Sequence, residues 1–279
     1  MDDMVIKSKT FCDFLDDVKE TFETLRKVSM KLNPKKCVFG VGAGKFLGYM
    51  ISENDIRANP KKVQAIIDMA SPQTVKEIQS LNGRLAALNR FLSRLADRAL
   101  PFFKTLKGGI SKGGRVEWSP SAEKAFQELK QHLQELPALT TPVQGERLYV
   151  YLAAAEDAMS AVLLREDKGI QRPVYFVSKL LQGAEKRYPD IEKLVLALIH
   201  AARRLKHYFQ AHPKHVLTDQ PLKQVLLKPE ASGRLVKWVV ELGEHDITFL
   251  PRNAIKGQVL ADFIAEMPCS SPKEVDLKE

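Results

Sequence analysis

Cysteine is scarce in this chain of 279 residues: Cys12, Cys37 and Cys269 are odd in number and far apart. That spacing gives neither a disulfide framework nor a zinc site, and it points to a reducing compartment. Long apolar runs are missing as well. No stretch approaches the roughly 18 apolar residues that a spanning helix requires, and the acidic start Met1-Asp2-Asp3-Met4 has no hydrophobic segment behind it. Secretion and membrane contact are therefore not expected, and a cytoplasmic or nuclear location is. The 15 glycines and 15 prolines form no period, which excludes collagen-like and low-complexity classes. Neither a nucleophile elbow nor a zincin motif occurs.

What is present is positive charge, unevenly placed. Lys and Arg number 43 against 34 Asp and Glu, a net +9 with a pI near 9.3. Residues 26–112 hold 17 basic against 5 acidic side chains, whereas 146–279 hold 20 against 18. A polyanionic partner would be met by the first of these regions. With 44% hydrophobic residues, the length suits about two domains of about 150 residues.

Periodicity predicts a short strand over Met4–Lys9 and a helix over Phe11–Ser29, with Phe14, Leu15, Val18, Phe22 and Leu25 at three-to-four spacing. Strands at 37–39 and 46–51 would be joined by the glycine-rich turn 40–45, where the phosphate-loop pattern fails at Phe39 and Phe46. Asn59-Pro60 starts a helix through Met69. Thr74-Val75-Lys76-Glu77 reads as a capping box ahead of a helix whose apolar stripe runs from Val75 through Ile78, Leu81, Leu85, Leu88 and Leu92 to Leu95. Lys76, Arg84, Arg90 and Arg94 lie on its other faces, an arrangement able to pack inward and track phosphates outward. Residues 107–115 read as a linker, and Ser119-Pro120 starts another helix. Three β-rich runs follow at 147–154, 159–165 and 172–179, then a long helix 190–209, a strand 215–218, a helix 233–242 and a strand 246–250, with 254–265 partly helical. This is a mixed α/β unit. His207, His212 and His215 lack a neighbouring acid or cysteine to complete a metal set, and Trp118 and Trp238 sit at core positions.

Two sets of residues together resemble one family. Met1-Asp2-Asp3-Met4-Val5 is similar to the end of the reverse-transcriptase Tyr-x-Asp-Asp motif. Leu32-Asn33-Pro34, Lys36-Cys37, Phe39 and Phe46-Leu47-Gly48-Tyr49 resemble its primer-gripping strands. Tyr188-Pro189-Asp190-Ile191-Glu192-Lys193, Leu217-Thr218-Asp219-Gln220-Pro221-Leu222 and Gly257-Gln258-Val259-Leu260-Ala261-Asp262 then fall in the order of a retroelement ribonuclease H domain. Residues 1–267 thus resemble the Pol polyprotein of gypsy-type LTR retrotransposons, plant ones in particular. The implied fold class is α/β (α+β). A palm remnant with primer grip covers 1–58, a helical thumb 59–106, a linker and connecting helix 107–145, a ribonuclease H-like mixed-sheet domain 146–267, and a disordered tail 268–279.

The resemblance also implies chemistry. Asp2 and Asp3 would be the hairpin pair of a polymerase carboxylate cluster, but the family's other palm aspartate has no counterpart here, so polymerase activity is not expected. Glu192, Asp219 and Asp262 would be three of four acids holding two Mg²⁺ or Mn²⁺ ions in the ribonuclease H site. The first acid should precede a Gly-Ala-Val-Leu run, and aligning that run on Ser160-Ala161-Val162-Leu163 places Ala153 there. Asp157 lies about 13 Å along an extended strand, at about 3.3 Å per residue, and Glu156 faces the opposite way. Only a tight turn at Ala154-Ala155 could bring either into place. Gln220 stands where many relatives carry His. The two-metal site is therefore expected to be incomplete, in a fragment that binds RNA–DNA hybrid or primer-template alongside the remainder of Pol. Two alternatives stay open: an active metal-dependent endonuclease, and a non-catalytic structural module. Some plant relatives carry a further ribonuclease H domain downstream, which would free this copy to become a spacer.

Overall fold

A computed structural model describes residues 4–8, 10–111, 116–227 and 233–252. The chain opens without a strand over 4–8 and enters α1 (Phe11–Lys27), capped by Thr10. The strand predicted at Met4–Lys9 is absent from its described part, and residues 37–39 are not a strand either. Instead β1 (Ala43–Phe46) and β2 (Tyr49–Ser52) form a hairpin whose two turn residues, Leu47 and Gly48, have φ of 48° and 81°. Positive φ at both positions gives the turn twist that suits right-twisted strands, so the chain reverses at 47–48 and not in the glycine run at 40–45. β3 (Asp55–Ala58) completes the meander, and Asn59 then caps α2 (Pro60–Ile67).

The expected long helix from 75 to 95 is broken. α3 (Val75–Ala86) begins with the predicted capping box, in which Thr74 Oγ1 accepts from the Glu77 amide and the Glu77 carboxylate accepts from the Thr74 amide. A 3-10 turn at Asn89–Phe91 follows before α4 (Leu95–Ser111). The break has a packing reason. Leu88 and Leu92 stay in the helical core with Ile78, Leu81 and Leu85, while Phe91 is turned out of it into a second core against the large sheet. α4 also runs into the predicted linker, as far as Ser111. Ser119 caps α5 (Pro120–Gln134), whose Ala122, Phe126, Leu129 and Leu133 close the helical core, with Trp118 stacked on Phe102 at 5.7 Å.

β4 (Leu139–Thr140) adds to the small sheet beside β3, giving the order β1-β2-β3-β4. The second sheet holds β5 (Leu148–Ala154), β6 (Ala158–Asp167) and β7 (Ile170–Leu180) as antiparallel neighbours turning at Lys168-Gly169. The expected helix 190–209 is two: α6 (Asp190–Arg204) and α7 (Lys206–Ala211), interrupted at Leu205. β8 (Lys214–Leu217), a short unpredicted α8 (Leu222–Leu226), α9 (Gly233–Gly243) and β9 (Ile247–Leu250) complete the order β7-β6-β5-β8-β9, in which β5, β8 and β9 run parallel. Strand alternation divides β5 between two cores. Leu148, Val150 and Leu152 face α6, whereas Tyr151 and Ala153 face Phe91, Leu139, Val162, Phe176 and Leu217. This second core fastens the helical region to the sheet.

Candidate nucleic-acid interface and acid site

The parallel pairing of β5 with β8 matches Tyr151 to Leu217, and that of β8 with β9 matches Leu217 to Leu250. Continuing both registers by two residues brings Ala153, Asp219 and Arg252 level at the same end of the sheet. Ala153 and the candidate acid Asp219 thus follow the paired Tyr151 and Leu217 at the same end of the sheet. Ala153 is 5% exposed and packs in the apolar core with Tyr151, Val162 and Leu217. Asp219 is 64% exposed and accepts from the Arg252 amide at 3.2 Å, with Arg252 Nε 3.8 Å from its other oxygen. The Arg252 guanidinium lies 5.8 Å from the Tyr151 ring centroid. Burial raises the pKa of the Tyr151 phenol, whose hydroxyl donates to Gln171 Oε1 at 3.1 Å.

Glu192 sits in the first turn of α6 with its carboxylate 13% exposed, held by Arg234 through Nε at 2.9 Å and Nη2 at 2.7 Å. Arg234 in turn lies 4.3 Å over the Tyr188 ring. Both described candidate acids therefore have an arginine from a distant part of the chain as counter-ion. Among the described residues no group of three His, Cys, Asp or Glu side chains could hold a metal ion. The described donor set does not fit a two-cation centre: Ala153, which the resemblance puts at one ligand position, lies in an apolar core, and Glu192 is paired with a guanidinium. Asp2, Asp3 and Asp262 lie outside the described residues.

The two acids near Ala153 are turned elsewhere. A tight turn does form, with the Ala155 amide donating to Ala158 O at 2.8 Å, yet it directs Asp157 to Lys186 and to Lys104 of α4 at 3.5 Å. Hydrogen bonding by Lys186 is the main cause that holds the Asp157 carboxyl below its usual range. Glu156 is exposed.

On the helical region, Lys76 is exposed, and Arg84 donates to the Ala65 carbonyl. Arg94 pairs with Asp97 at 3.0 Å and is only 11% exposed. Arg90 stands 5.1 Å over Tyr49, 5.8 Å over Phe91 and 4.8 Å over Tyr175, joining the hairpin, the 3-10 turn and the large sheet. These arginine contacts, like Arg234 and Arg252, were not foreseen from sequence, because periodicity reports a helical face and not the distant partner opposite it.

Residues 118–216 match the model of the RNase H-like domain found in reverse transcriptase. Among curated proteins, the chain is 27% identical over 277 residues to the retrovirus-related Pol polyprotein from transposon opus of Drosophila melanogaster, covering 96% of this chain and 28% of that protein. It is 29% identical over 247 residues to the Pol polyprotein from transposon 297 of the same fly, covering 88% and 23%. The Tf2-3 polyprotein of Schizosaccharomyces pombe is 26% identical over 262 residues, covering 91% and 19%. The chain thus spans about a fifth to just over a quarter of the length of these relatives. In fold it is similar to a foamy viral protease-reverse transcriptase in complex with RNA/DNA hybrid, with a TM-score of 0.76 and 19% identity over 98% of this chain and 36% of that one. A related structure in complex with double-stranded DNA gives 0.73 and 21%, covering 89% and 44%. Residues 118–216 thus carry an RNase H-like domain of the kind found in reverse transcriptase, and the chain as a whole is similar to a stretch of retrotransposon Pol polyproteins and shares the fold of foamy viral reverse transcriptase.

Proposed function

We propose that this segment binds RNA–DNA hybrid or primer-template and that its ribonuclease H chemistry is impaired. The observation that carries the reading is Ala153, level with Asp219 and buried in an apolar core where the first metal-holding carboxylate of the resemblance would stand. Losing that ligand removes several kcal/mol of metal binding and transition-state stabilisation. The pairs Glu192–Arg234 and Asp219–Arg252 support the same reading, since each acid has an arginine beside it. Binding is supported by the basic excess of residues 26–112 and by the nucleic acid present in the similar foamy viral structures.

The polymerase pair Asp2–Asp3 finds no third palm aspartate within these residues, and the parent element is read as gypsy-type and plant-like, with the remainder of Pol as partner. The domain limits 1–58, 59–106, 107–145 and 146–267 remain part of this proposal. No described helix is long and apolar enough to cross a membrane. Hybrid affinity measured against salt tests the binding arm: log affinity should fall linearly with log salt, and Lys76→Glu should flatten the slope. Salt-independent binding, or none, would contradict it.

A further inference from the structure

A pocket of about 270 Å³ opens at the seam between the 3-10 turn and the edge strand β7, lined by Asn89, Tyr175, Ser178, Lys179, His200 and Arg204 among others. Its charged lining is cationic. Burial first, and then the charges of Lys179, Arg204 and Arg203, push the His200 pKa down, opposed only by Glu185. The nearby carboxylates are already engaged: Glu185 with Lys179 at 2.6 Å and Glu241 with Arg203 at 2.7 Å. Arg204 is left exposed with no carboxylate partner among the described residues. Arg90, next to Asn89 and over the Tyr175 ring, also has no carboxylate there, and its Nε is buried without a hydrogen-bond partner among the described residues.

We propose that this seam pocket binds a backbone phosphate of a nucleic-acid strand, with Arg204 as the cation and Asn89 and His200 as N–H donors. The inference rests on the nucleic-acid reading above and adds a contact remote from the acid site. A phosphodiester is favoured over an isolated anion because the seam joins the basic helical region to the near-neutral sheet. A polyanion held by the former and running onto the latter crosses the pocket.

The test titrates the full chain against salt with a fluorescent RNA–DNA hybrid. Arg204→Gln should lower the slope of log affinity against log salt by about one, Arg204→Lys should retain it, and Lys237→Gln, an exposed cation on α9, should leave it unchanged. An unchanged slope in Arg204→Gln, or an equal loss in Lys237→Gln, overturns the pocket while the nucleic-acid reading stands. Absence of salt-dependent hybrid binding by the unsubstituted chain overturns both. Loss of polyglutamate binding by Arg204→Gln with the hybrid slope intact assigns the pocket to an acidic peptide and likewise overturns the proposal. Because Arg204 is exposed, equal melting temperatures verify that the variants remain folded.

Discussion

Ala153 and Asp157 show how one residue can redirect a site. Ala153 contributes to a core of Tyr151, Val162, Leu217 and Phe176, so Ala153→Asp buries a carboxylate among apolar neighbours. It should destabilise the chain by about 1–3 kcal/mol or more in metal-free buffer, visible as a lower denaturation midpoint; an unchanged midpoint would contradict the apolar environment. Asp157, the nearest aspartate along the chain, instead braces Lys186 and Lys104. Its folded-state carboxyl titrates below the ordinary range of about 4, so its contribution is full above that range and is lost as pH falls through the folded value. Asp157→Asn should lower stability by about 0.5–1 kcal/mol near neutrality and make the acid limb of the stability profile shallower. Parallel acid limbs would show that the brace contributes nothing. Ala153 was singled out by the spacing to Ser160-Ala161-Val162-Leu163 that the resemblance supplied. The arginines opposite the acids were not, because Arg234 lies 42 residues from Glu192 and Arg252 lies 33 from Asp219.

Among the elements, regular periodicity was readable and its interruptions were not. Thr74, Asn59 and Ser119 announce their helices because each cap is a local hydrogen bond. The stripe from Ile78 to Leu95 correctly names buried residues, yet the chain breaks among them, where Phe91 turns to the core against the sheet. The hairpin was displaced for a related reason. Several glycines at 40–45 advertise a turn, but the reversal is set where two consecutive residues accept positive φ. A side chain at Gly48 would be strained by its φ of 81°, although the flexible Lys62 tip that it meets can move aside. Gly48→Ala should therefore cost about 1 kcal/mol or more, whereas Gly42→Ala, with open space around its Cβ position, should be close to neutral. Equal effects in thermal denaturation would place the turn elsewhere.

For the whole molecule, the strands of the large sheet and the helices of the helical core were readable from alternation, periodicity and capping, while the sheet order and the joining of the two were not. Phe91 and Leu139 belong with Tyr151, Val162, Leu164 and Phe176 in one buried cluster, and Arg90 bridges Tyr49 and Tyr175 across the same boundary. Such a junction makes the helical region and the sheet a single mechanical unit. Phe91→Ala should cost about 3–5 kcal/mol and separate the unfolding transition into two steps; a small loss with one transition would show that the regions are held by other contacts. The same junction occupies the face of the sheet on which Ala153 lies, so in the function proposed above the apolar packing stands where a metal-holding acid would be. Incubation of the full chain with end-labelled RNA–DNA hybrid in Mg²⁺ or Mn²⁺, beside Glu192→Gln, tests this account most directly. It predicts hybrid that is bound but cut no faster than by Glu192→Gln, and metal-dependent cleavage abolished by that substitution would contradict it.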